Sequence, residues 1–135
     1  MSKLLQRLSD AKRSGVYRTS EARAVLEATR GSDLDVATID AGLHPLERIA
    51  HALDFPDWFG GNWDALEDSL GDLSWRSGAG HVLLFTGRPA GEDLGRLIDV
   101  LRSSAQFWTG RKKPFFAVFI DARRELDLPD LYRER

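Results

Sequence analysis

The chain has 135 residues, 42% of them apolar and 30% charged, a balance that suits one compact domain and excludes wholesale disorder. A formal net charge of −2 and the absence of cysteine exclude a global pull towards nucleic acid or anionic membrane, and with it disulfides, thiolate nucleophiles and cysteine-based zinc sites. The longest apolar runs, residues 82–85 and 115–120, are far short of a bilayer span, and the first residues hold no apolar stretch of signal-peptide length, so a cytoplasmic protein without membrane contact is expected.

Val16, Tyr17 and Arg18 read as a short strand. Ser20 is placed to cap a helix over residues 21–28. After the punctuation at Gly31-Ser32-Asp33, residues 36–39 form a buried strand ending at Asp40. Pro45 suits the first turn of a helix whose apolar positions Leu46, Ile49, Ala50 and Leu53 recur every three or four residues, and Phe55-Pro56 ends it. Residues 57–61 form a loop, and Asn62 caps the next helix, with Trp63, Leu66, Leu70 and Leu73 on one stripe. Residues 81–85 and 115–120 are continuous apolar strands on either side of a long amphipathic helix marked by Leu94, Leu97, Ile98, Leu101 and Ala105. Beyond Arg123 the chain is highly charged, with widely spaced leucines. Strands apolar on both faces and separated by helices predict a small α/β domain with a mainly parallel, three- to four-stranded sheet.

No phosphate loop, dinucleotide fingerprint, HExxH or GxSxG occurs, and His44, His51 and His81 do not stand at metal-ligand spacing. The best catalytic reading uses Asp40 and Asp121, each directly after an apolar strand, as a Mg²⁺-holding pair for phosphate chemistry; aspartate also ends strands simply because it makes turns. Neither a cofactor nor a metal site is expected, and the chain is read as a non-enzyme.

Charge is distributed unevenly. Residues 31–75 carry ten acids against one basic residue, Arg48, and six carboxylates lie between Asp54 and Asp72 with no Lys or Arg among them. The same stretch holds Phe55, Trp58, Phe59 and Trp63. On a helix, Asp64, Glu67, Asp68 and Asp72 crowd one side, and each like-charge pair four residues apart costs ~0.2–0.5 kcal/mol. A solvated acidic surface is the plain reading. The functional one is a rigid anionic surface beside a loop of aromatic rings, which imitates closely spaced phosphates beside stacked bases and suits a basic pocket on another protein. That surface has the wrong sign for direct nucleic-acid binding.

The run Pro56-x-Trp58-Phe59-Gly60-x-Asn62-x-Asp64-Ala65-Leu66-x-Asp68-x-Leu70 resembles the signature of the barstar family, intracellular inhibitors of barnase-type ribonucleases. The order of elements over about residues 34–121, roughly two thirds of the chain, is also similar. The resemblance implies a small three-layer barstar-like fold at residues 34–122, preceded by an extension at 1–33 packed on the same domain and followed by a charged tail at 123–135. It implies a 1:1 complex with a small basic ribonuclease or nuclease toxin. Trp58, Phe59, Gly60, Asn62, Trp63, Asp64, Glu67 and Asp68 would form the partner-binding surface. In the family, the residue matching Asp68 reaches the enzyme's phosphate-binding arginines and catalytic histidine, and the ring matching Trp58 packs over that histidine. Three positions depart from the pattern: Trp58 stands for a tyrosine, Glu67 for an aromatic residue, and Ser103 for an acidic contact. A regulatory module for a basic partner that is not a nuclease is the alternative.

Overall fold

The computed structural model describes residues 2–133; the last two residues of the charged tail lie outside them. In chain order the elements are α1 (Lys3–Leu8), a 3₁₀ turn (Ala11–Arg13), β1 (Gly15–Thr19), α2 (Arg23–Thr29), β2 (Leu34–Asp40), α3 (Pro45–Ala52), α4 (Trp63–Leu70), β3 (Gly80–Gly87), α5 (Glu92–Gly110) and β4 (Phe115–Ile120). All four strands are parallel, in the order β1-β4-β3-β2.

Two-residue alternation along the central strands builds the two cores. Leu83 and Phe85 of β3, with Phe115, Ala117 and Phe119 of β4, face α3, α4 and α5. Val82, Leu84, Phe116 and Val118 face the other way, towards Leu8 of α1, Val25 of α2 and Leu131. Each fully buried Leu or Phe contributes ~1.5–3 kcal/mol, and Phe85 and Phe119, paired in register, stack with ring centroids 4.7 Å apart. The result is a three-layer α/β fold with a fully parallel sheet, as the doubly apolar strands predict. Close to the carboxyl end of β2 the register shifts so that Asp40 pairs with Gly87. A Cβ at Gly87 would fall 2.0 Å from Asp40 Oδ1, so any larger residue there would have to displace the Asp40 carboxylate.

Several local expectations are corrected. The helix expected from residue 21 begins at Arg23, with Ala22 at its cap position and no side-chain cap, because residues 20–22 are spent turning the chain off the end of β1. Helix α1 has no counterpart among the elements expected from sequence: Ser2 caps it, its Oγ accepting from Leu5 N at 3.0 Å, and Leu4 and Leu8 seat it on the second core. Helix α4 ends at Leu70, so Leu73 lies past it with φ of 49° while its side chain still joins the core. The leucines of the C-terminal segment do pack, Leu126, Leu128 and Leu131 all being buried. That segment bonds along the free edge of β1, Arg18 N donating to Pro129 O and Leu131 N to Arg18 O. An edge strand that would otherwise template foreign pairing is thereby covered.

Candidate protein-binding site

Asn62 sets where α4 starts: its Oδ1 accepts from Ala65 N at 2.8 Å, satisfying one of the orphan donors of the first turn. Gly61, with φ of +71°, supplies the left-handed step that brings the loop into that cap. Leu66, Ser69 and Leu70 are buried beneath the helix. Trp108 of α5 locks its far end by donating Nε1–H to Leu70 O at 2.8 Å, which satisfies a terminal carbonyl and ties the two helices together. With its inner face so occupied, α4 turns Asp64, Glu67 and Asp68 to solvent.

The preceding loop stands on an aromatic cluster. Phe55 meets Phe59 and Trp75 edge-on, with centroids 4.9 and 5.7 Å apart, and Trp75 Nε1 donates to Leu53 O at 2.8 Å. Trp58 rests edge-on against Trp75 and is 62% exposed. Phe59 and Trp63 are half-buried against the core, so of the rings named from sequence only Trp58 is presented outright. Gly60 and Asn62 are exposed between them.

Among the described residues, Asp57, Asp64, Glu67, Asp68 and Asp72 have no intrachain ion pair. Of the six carboxylates from Asp54 to Asp72, Asp54 is the one with an ion pair among the described residues, to Arg76 Nη1 at 3.1 Å. Because α4 ends at Leu70, Asp68 and Asp72 are not a pair on one helix; Asp72 instead accepts from Ser74 N at 3.3 Å. The like-charge pair within the helix is Asp64 with Asp68.

Helix α5 brings in residues that the sequence pattern concealed. Glu67, Asp68 and Gly71 face Ser103, Ser104 and Phe107 across a groove of about 320 Å³. Phe107 is 39% exposed, and the Arg111 guanidinium lies over its ring at 4.7 Å. The available signal was that Phe107 falls outside the apolar stripe of its helix. Ser103, singled out as a departure, does sit beside Asp68.

A buried polar cluster holds the base of this region. Asp35 takes Arg76 Nη2 at 2.6 Å and Nε at 2.8 Å, and meets His81 Nδ1 at 2.9 Å. Burial pushes the Asp35 carboxyl up, but hydrogen bonds and charge from Arg76 and His81 outweigh it and hold it below the usual range. Burial pushes His81 down, and the nearby cations Lys113 and Arg76 add to this against the opposing Asp35 bond.

Asp40 and Asp121 do not converge. Strand β3 separates their strands, placing the two ends ~10 Å apart. Asp121 is buried and spends both oxygens on its own turn, accepting from Glu125 N at 3.0 Å and Leu126 N at 2.8 Å. The shared-cation reading of that pair is therefore corrected: at Asp121 the turn-making role is what the structure displays. Among the described residues no helix is long and apolar enough to cross a membrane.

A family model described as Barstar (barnase inhibitor) matches residues 31–120, two thirds of the chain. The match spans β2 through β4 and includes the loop, α4 and the groove on α5. None of the curated proteins and none of the solved structures compared gives a significant match.

Proposed function

The chain belongs to the barstar family, and on that premise we propose that it inhibits a small basic ribonuclease by seating α4 and the Trp58 loop in the enzyme's active site as a 1:1 complex. The family's description makes barnase-type inhibition the natural activity at the family level. One observation carries the finer reading: the outward carboxylates of α4 have no counter-ions of their own among the described residues. A helix shaped only for stability would alternate its charges. Here Asp64, Glu67 and Asp68 present one sign, beside an exposed indole, to whatever docks. Arginines, lysines and a histidine arranged for RNA phosphates supply the missing charge, and Trp58 occupies the place of a base. Aromatic anchors and complementary fields of this kind concentrate binding energy in a few residues and speed encounter; the barnase–barstar complex is itself a reference case for such charge coupling.

Glu67 and Ser103 tune that surface. Glu67 adds a charge midway along α4, whereas Ser103 adds none to the facing wall, where Arg111 lies over Phe107; this favours an enzyme whose cations cluster over α4 rather than over α5.

The test is affinity capture from the native host, followed by a ribonuclease assay on the protein retained. A small basic ribonuclease should be recovered, silenced stoichiometrically, with an association rate that falls steeply as salt rises. Trp58→Ala should loosen the complex by ~10-fold or more. Recovery of a basic partner without nuclease activity would replace inhibition with a regulatory binding role.

A further inference from the structure

The segment before the family match has a surface of opposite sign. Helix α1 lies on the face of the sheet away from α4. Its buried side is Leu8, with Leu4 packed alongside, while Lys3 and Arg7 stand four residues apart on the outside. No acid occupies its first turn, so Lys3 faces the positive end of the helix and also repels Arg7 four residues on, although Arg7 itself sits in the last turn, where the dipole favours a cation. The following 3₁₀ turn adds exposed Lys12 and Arg13. Lys3, Arg7, Lys12 and Arg133 have no ion pair among the described residues, and Asp10 pairs with Arg13 at 3.9 Å while its other oxygen accepts from Lys12 N at 3.0 Å.

These cations border concave surface. A groove of about 520 Å³ is lined by Lys3, Leu4, Arg7, Tyr132 and Arg133. A second, of about 250 Å³, shares Lys3 and Arg7 and extends past Gln6 to Asp10 and Arg13. Burial pushes the Tyr17 phenol above its ordinary range, and the Arg7 and Arg13 charges only partly oppose it. The Tyr17 hydroxyl itself is engaged, donating to Arg13 O.

We propose that this two-part groove binds single-stranded RNA, with phosphates on Lys3, Arg7, Arg13 and Arg133 and a base against Tyr132. A cationic track with an aromatic ring in its wall is how sequence-tolerant single-strand sites are built. The larger groove has the volume of a small-ligand pocket. A second copy's α4 is a poorer occupant, since a convex helix needs ~800 Å² of matching surface rather than a cleft. The whole-chain charge of −2 disguises the site, because folding puts the acids of α4 on one side of the sheet and the cations of α1 on the other. The site does not depend on the ribonuclease reading, and RNA held there leaves α4 free.

The experiment is fluorescence anisotropy of a labelled uridine oligonucleotide of about twelve residues, titrated with the full chain. Four phosphate contacts predict that affinity falls ~20-fold between about 50 and about 150 mM salt. Arg7→Glu and Arg133→Glu, each checked for an unchanged melting curve, should each weaken binding at least ~10-fold. Asp68→Asn should leave RNA binding intact, and Tyr132→Ala should weaken RNA without altering the weak binding of inorganic phosphate. Absence of binding at low salt, or binding indifferent to both charge reversals, overturns the proposal. So does salt-sensitive self-association in sedimentation that Arg7→Glu and Asp68→Asn both abolish, because the occupant would then be a second copy of this chain.

Discussion

Replacing Asp68 by asparagine separates stability from binding more sharply than any other change. The two residues are nearly isosteric and have similar helix propensities, so the difference is one charge. Asp68 repels Asp64 one turn earlier, a cost of ~0.2–0.5 kcal/mol. It also lies in the last turn of α4, which has no basic residue, and a carboxylate against the negative end of a helix costs ~0.3–1 kcal/mol more. Asp68→Asn should therefore stabilise the free protein by about 0.5–1.5 kcal/mol, raising Tm by roughly 2–6 °C. The gain should shrink in about 1 M salt, where screening acts within a few ångströms. The same substitution should loosen the ribonuclease complex by ~30-fold or more, equivalent to ~2 kcal/mol. Differential scanning calorimetry at low and high salt, set beside inhibition titrations, measures both. A fall in Tm would mean that the chain already supplies a cation to Asp68, and the argument for an external one would fail.

Other expectations are smaller in scope. Leu70→Ala removes a fully buried side chain and should cost ~2–5 kcal/mol in urea denaturation. Asn62→Ala deletes the 2.8 Å cap bond and should cost about 1 kcal/mol, with inhibition weakened because the helix start frays. Stability should also fall with pH in two stages. His81 is held below its usual range, so the unfolded chain takes up a proton that the folded one resists, and this contribution, whole above the ordinary histidine range, fades as pH drops through it. Asp35 and Asp121 are held low, and their contribution, present above the ordinary carboxylate range, is lost as pH falls through their lowered values. His81→Gln, which keeps a donor for Asp35 but does not titrate, should flatten the first stage only; an already flat wild-type curve between about pH 7.5 and 5.5 would refute it.

The legible parts of the chain were those in which local chemistry and the tertiary demand agree. The apolar runs at β3 and β4, short and bounded by Gly and Pro, read as strands covered on both sides, and Asn62 before Trp63 marks a helix start whatever packs around it. Ser20 failed because capping preference is local, whereas where α2 begins depends on how the chain leaves β1. Helix α1 failed because six residues offer too little periodicity to register, and its leucines are apolar in a useful sense only once the sheet gives them a face.

At the surface, sequence by itself determined the sign of α4 and the aromatic content of the loop before it, since both are properties of neighbouring residues on one short segment. Tertiary structure decided which of those groups stand free: it turned Phe59 inward, left Trp58 out, gave Asp54 to Arg76 and, among the described residues, no cation to Asp68, and set Ser103 and Phe107 across the groove. It also decided that the cations of α1 gather on the opposite face. Ion pairing and exposure depend on residues far apart in the chain arriving within a few ångströms of each other, and no local pattern encodes that arrival.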